Sequence, residues 1–109
     1  METISIAKDF SKNPGARYGD DGDFSGELFY KELLLPAFER AINSKQKLTI
    51  DLNGIYGFPS SFVSESFGKL SIEKGANNVI SVLVFISDEN PIRAEKAIAE
   101  IKSPIKDEQ

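Results

Sequence analysis

The stretch from Leu48 to Phe62 constrains the fold most, because it carries the chain from a strand through a tight turn to the point where a helix begins. Leu48, Ile50 and Leu52 alternate with Thr49 and Asp51, the period of a strand with one buried face. Val63, Phe67 and Leu70 then recur at helical spacing. Between the two patterns lies a turn containing Gly54 and Gly57, followed by Ser60 and Ser61 where the helix opens. A hydroxyl at that place can cap free backbone N–H groups. A phosphate there would meet the positive end of the helix dipole. Asp51 and Gly54 are read as turn residues, the carboxylate accepting from nearby N–H groups. No Gly-Lys-Ser/Thr follows the glycines, so they do not form a phosphate-binding P-loop. The layout suggests a switch or docking site rather than a reaction centre.

The rest of the chain supplies further elements of an α/β fold. Residues Thr3 to Ala7 read as a first strand, and a polar loop runs from about Ser11 to Ser25. Ser25 then caps a helix over about Gly26 to Asn43, whose apolar stripe is Tyr30, Leu34, Phe38 and Ala41. Pro36 falls inside that helix and is expected to kink it. Val79 to Ile86 is a nearly unbroken, β-branched apolar run and reads as the central strand, covered on both faces. Asn90 followed by Pro91 marks the start of a last helix, with Ala94, Ala97, Ile98 and Ile101 buried and Ser103–Pro104 ending it. The expectation is one domain over 1–103 with a mobile tail over 104–109.

Composition narrows the function. The 109 residues carry a net charge of −4 without a concentrated basic stretch, which argues against nucleic acid as a partner. Cysteine is absent, removing disulfides, thiolate metal sites and a cysteine nucleophile. Histidine is absent too, and with it the usual general base and the commonest metal ligand. No apolar run is long enough to span a bilayer, and the first residues lack a signal-peptide pattern. A cytoplasmic location, no membrane partner, no cofactor and no enzymatic activity are the expectations.

Asp51-Leu-Asn-Gly-Ile55, followed by the Ser60–Ser61 pair opening a helix, resembles the core motif of STAS domains, the anti-sigma-factor antagonists and their relatives. A closer resemblance is to a bacterial group of small STAS-like domains of unestablished function. It rests on Phe10-Ser11, Pro14-Gly-Ala-Arg17, Asp21-Gly22, Phe24-Ser-Gly-Glu27, Leu34-Leu-Pro36, Asp51-Leu-Asn-Gly54 and Ser60-Ser-Phe62. The resemblance implies a STAS-like sheet of about four mixed strands packed by three helices, with a further short strand near Arg17–Tyr18. It also implies a protein partner, such as a kinase-like ATPase, and phosphorylation at Ser60 or Ser61. Pro59 stands where antagonists carry an acidic residue, and Phe62 where they carry glycine.

Two functions follow. In one, the chain is a regulatory domain that docks on a protein through the Ser60 helix start and the 14–27 loop, with Arg17, Asp21, Asp23, Ser25 and Glu27 as binding residues. In the other, Arg17 and the Asp20, Asp21 and Asp23 cluster hold a small ligand, an anion or a metal for an enzymatic step.

Overall fold

A computed structural model describes residues 2–15 and 24–104. Strand β1 (Glu2–Ser5) ends where a π-helical segment begins at Ile6 and runs to Phe10. Ser5 makes the change of direction. Its Oγ accepts from the Lys8 N–H at 3.2 Å, while its own N–H donates to Asp9 Oδ2 at 2.8 Å. The strand expected over Thr3 to Ala7 is therefore cut short, because this reciprocal pair satisfies the first turn of a helix.

Helix α1 covers residues 26–44. It starts as expected, with Ser25 Oγ accepting from the Leu28 N–H at 3.1 Å. Its middle, Tyr30–Leu34, is π-helical, and the Leu35 N–H reaches back to the Tyr30 carbonyl. Pro36 follows at the start of the next α-helical segment, Leu35–Ser44. The widened turn accommodates the ring and its missing N–H, so the helix passes through the proline. Strand β2 (Leu48–Asp51) comes next, and then helix α2 over residues 60–74, with a second π-helical segment at Ser64–Gly68. Val63, Phe67 and Leu70 all face the core, as their spacing predicts.

The run from Val79 to Ile86 corrects the sequence reading. Its first half belongs to a helix, α3 (Ala76–Val82), and only Leu83–Ile86 forms strand β3. Gly75 at φ 93° ends α2 and sets a new helix start. Val79 and Val82, three residues apart, then share the buried side of α3, whereas Ile80 and Ser81 are exposed. Packing on α2 and α1 overrides the β preference of these residues. The last helix, α4 (Pro91–Lys102), starts as predicted, with Asn90 Oδ1 accepting from the Ile92 N–H at 3.2 Å.

The described strands form one parallel sheet in the order β1-β2-β3. β2 is central and β3 lies at an edge, the reverse of the arrangement expected from apolar content. The described sheet has three strands and no antiparallel member, where about four mixed strands were expected, and α3 is a helix beyond the expected three. The Arg17–Tyr18 region lies outside the described residues. Register explains the roles. Ile4, Leu48, Ile50 and Leu83 point into the core, and the opposite face carries Thr3, Ser5, Thr49, Asp51, Val84 and Ile86. Thr49 is nonetheless buried, since a strand lies on each side of it, while Val84 is 38% exposed.

Aromatic rings fill the space between sheet and helices. Phe29, Phe62 and Phe67 are fully buried, with ring centroids 5.4 Å apart for Phe29–Phe62 and 5.9 Å for Phe29–Phe67. Tyr30 is buried beside them, donates its hydroxyl to Glu73 Oε1 and lies under Lys69 Nζ, 5.1 Å from the ring centroid. Burial, reinforced by the Glu73 carboxylate, raises the Tyr30 pKa well above the ordinary tyrosine value.

Two measurements check this architecture. Ile50→Ala empties a site in the central strand and is expected to cost about 2–5 kcal/mol in urea unfolding, whereas Val84→Ala at the edge costs less than about 1 kcal/mol. Equal losses would contradict the strand order. The raised Tyr30 pKa contributes stability that is fully present below about pH 10, the unfolded tyrosine value, and is lost as pH rises through the folded value. Melting temperature should therefore decline in that alkaline window for the wild-type protein, and Tyr30→Phe should flatten the decline.

Candidate functional site

The carboxyl ends of the parallel strands lead to Asp51, Gly54, Ser60 and Ser61, the place where open α/β sheets build their sites. Asp51 closes β2, and its Oδ1 accepts from the Asn53 N–H at 2.9 Å, which turns the chain. Gly54 follows at φ 87°. A reciprocal pair of bonds then joins this turn to the segment after β3. The Asn53 side-chain oxygen accepts from the Glu89 N–H at 3.1 Å, and Glu89 Oε1 accepts from the Gly54 N–H at 2.9 Å. The Leu52 N–H adds a bond to the Ile86 carbonyl at 2.8 Å.

From this clamp the chain runs to the start of α2. Ile55 and Phe58 point inward, whereas Tyr56 is 74% exposed. Two cations of α4 hold the carbonyls along the way: Arg93 Nη1 donates to the Ile55 carbonyl at 2.9 Å and Lys96 Nζ to the Phe58 carbonyl at 2.5 Å. The Tyr56 N–H donates to the Lys12 carbonyl at 2.7 Å, tying in the segment after the first π-helical turn. Pro59, extended at φ −63° and ψ 146°, occupies the cap position of α2. Ser60 and Ser61 are thus the first two helical residues and not the cap. Ser60 is exposed and Ser61 half-buried. The N–H groups of this first turn point out of the helix end without intrahelical partners.

The start of α1 abuts the start of α2. A Cβ placed on Gly26 would lie 2.5 Å from the Phe62 carbonyl oxygen, so only glycine lets these two helix ends meet. Phe10 fills the junction, with ring centroids 5.3 Å from Phe29, 5.5 Å from Phe24 and 6.1 Å from Phe62. The Gly15 N–H donates to the Phe24 carbonyl at 2.9 Å and closes the base of the 14–27 loop at this point. Arg17, Asp20, Asp21 and Asp23 lie outside the described residues. Ser25 is fully buried with its hydroxyl in the helix cap, and Glu27 is exposed in the first turn of α1. The loop base and the Ser60 helix start thus adjoin one another, and Asp51 and Gly54 belong to the same strand-end rim.

Sequence reading missed Phe10 as the joining ring, the Asn53–Glu89 clamp and the Arg93 and Lys96 contacts. Each depends on residues more than 30 positions apart or on a side chain with no periodic signature. A groove of about 400 Å³ lies at the other ends of these helices, lined by Phe38, Ile42, Lys74 and Asn78, and contains none of the candidate site residues. Gly26→Ala tests the junction. The added methyl meets backbone, not a movable side chain, so a loss of about 1–3 kcal/mol is expected in denaturant unfolding despite alanine's better helix propensity. A variant as stable as the wild-type protein would show that the helix ends do not meet.

No helix among the described residues is long and apolar enough to cross a membrane. No curated protein and no solved structure matches the chain. Residues 25–93 match the family described as a STAS-like domain of unknown function (DUF4325). That span takes in α1, β2, the Asp51–Gly54 turn, the Ser60 helix start, α3, β3 and the start of α4. More than half of the chain is covered, and the protein belongs to this STAS-like family.

Proposed function

We propose that this protein is a regulatory domain that docks on a protein partner, a kinase-like ATPase, through the Ser60 helix start and the 14–27 loop. The observation that carries the reading is the junction of Gly26 with Phe62, which brings the base of that loop to the exposed first turn of α2. Such a face needs no reaction chemistry, and the chain has neither histidine nor cysteine to supply the usual kind. Tyr56, 74% exposed, and Ile92, 68% exposed at the start of α4, offer apolar contact area on the two segments that Arg93 joins.

Ser60 is the residue at which a switch would act. A phosphate on its hydroxyl is compatible with the fold, because the first turn of α2 presents unpaired N–H groups and the positive end of a dipole. It would add roughly −1.5 to −2 charges to a face whose chain is already acidic, and so repel an acidic partner surface.

The test measures affinity by calorimetry for the partner copurified and crosslinked with the native protein, alongside mass spectrometry for phosphoserine. Ser60→Ala should bind within about twofold of wild type, since Pro59 and not Ser60 is the cap. Ser60→Asp should keep its melting temperature yet bind at least about tenfold more weakly, a loss of ~1.4 kcal/mol. Equal affinities in all three proteins would refute Ser60 as the switch.

A further inference from the structure

The outer edge of β3 is short but carries none of the charges, prolines or glycines that commonly keep an edge strand solitary. Its sequence, Leu83-Val-Phe-Ile86, has no charge, no proline and no glycine, and no described strand pairs with it. The other edge of the sheet is guarded differently: β1 begins with Glu2, held by Arg40 through bonds of 3.0 and 2.7 Å. The Ile86 carbonyl faces β2, where it accepts from the Leu52 N–H. Backbone groups alternate sides along a strand, so the N–H and carbonyl of Phe85 and the carbonyl of Leu83 face outward. The Leu83 N–H is already bonded to the Val79 carbonyl at the end of α3.

We infer that this edge pairs with the same edge of a second copy of the chain, antiparallel about a twofold axis, to join the three described strands of each copy in one continuous sheet. Outward-facing residues must meet outward-facing residues, which restricts the register. With Phe85 opposite Phe85, the two residues exchange a pair of backbone bonds, and each Ser87 N–H lies opposite the Leu83 carbonyl of the other copy. Val84 of one copy then sits opposite Ile86 of the other on the more open sheet face, burying both.

Charge supports a second copy as the occupant. At the amino end of β3, Lys47 Nζ crosses to the Ser81 carbonyl at 2.9 Å. At its carboxyl end, Asp88 is exposed. The antiparallel register brings the Asp88 carboxylate of each copy to the end at which the other presents Lys47, twice over by symmetry. A partner without that arrangement would leave the alternation of basic and acidic ends unmatched.

The experiment is sedimentation equilibrium of the full chain over a micromolar concentration series. The wild-type protein should dimerise. Val84→Lys places a charge on an exposed edge position and should weaken the dimer at least about tenfold while leaving the melting temperature of the dilute monomer near wild type. Lys47→Glu should weaken it as well, and adding Asp88→Lys to that variant should restore it, because each copy then presents the reversed pair. A monomeric wild-type protein, a dimer insensitive to Val84→Lys, or a Lys47→Glu defect that Asp88→Lys leaves unrepaired would overturn the proposal.

Discussion

The contact between Gly26 and the backbone of Phe62 determines much of this molecule. Two helix starts approach so closely there that the position admits no side chain. That approach fixes the distance between α1 and α2, and Phe29, Phe62 and Phe67 fill the core on that spacing. Phe10 enters from the first π-helical segment and closes the junction from outside. A small domain buries only about two-thirds of its unfolded surface, so a few large rings bear a disproportionate share of its core. The same contact sets the place of Ser60, two residues before Phe62, and of the loop that ends at Ser25. Fold and candidate site therefore depend on one steric requirement.

Local signals in the chain proved readable where a single side chain decides the outcome. Ser25 caps α1, Asn90 with Pro91 starts α4, and Asp51 turns the chain after β2, all by bonds that span two or three residues. The period of Val63, Phe67 and Leu70 likewise gave the buried face of α2. Strand order was not readable, because it follows from which crossover packs where. β2 alternates as a half-buried strand should, yet its position between β1 and β3 buries Thr49 as well. β3 reads as fully buried, yet it lies at the edge with Val84 in solvent. Inside Val79 to Ile86, a helical spacing of three was hidden within a continuous apolar run, and the deciding residue was Gly75, four positions before the run begins.

The candidate site divides along the same line. Its sequence markers, Asp51, Gly54, Ser60 and the loop residues, are short motifs in a row. The contacts that hold them in one place are long-range: Arg93 on the Ile55 carbonyl, Lys96 on the Phe58 carbonyl, and Glu89 against Gly54. These are polar side chains on a helix face or in a loop, where a solvated role is the ordinary expectation. Here they replace water at the carbonyls of a loop that has no regular backbone partners. Such bonds help to fix the backbone that leads into α2 and so the place at which Ser60 stands.

The segment between β3 and α4 links the two surfaces argued above. Glu89 is bonded by backbone and side chain to the turn that leads to Ser60. Asp88, its immediate neighbour, stands at the end of the β3 edge. The Ser87 hydroxyl donates to the Asn90 carbonyl at 2.5 Å and the Asn90 side chain caps α4, so these four residues are held at both ends. A displacement of Asp88 on pairing of β3 edges would be passed through Glu89 to Gly54 by bonds of about 3 Å, not through flexible chain. Any coupling carried by these bonds would be reciprocal between the β3 edge and the Ser60 face. The 87–90 segment, bonded at both ends, thus adjoins both the β3 edge and the turn that leads to Ser60.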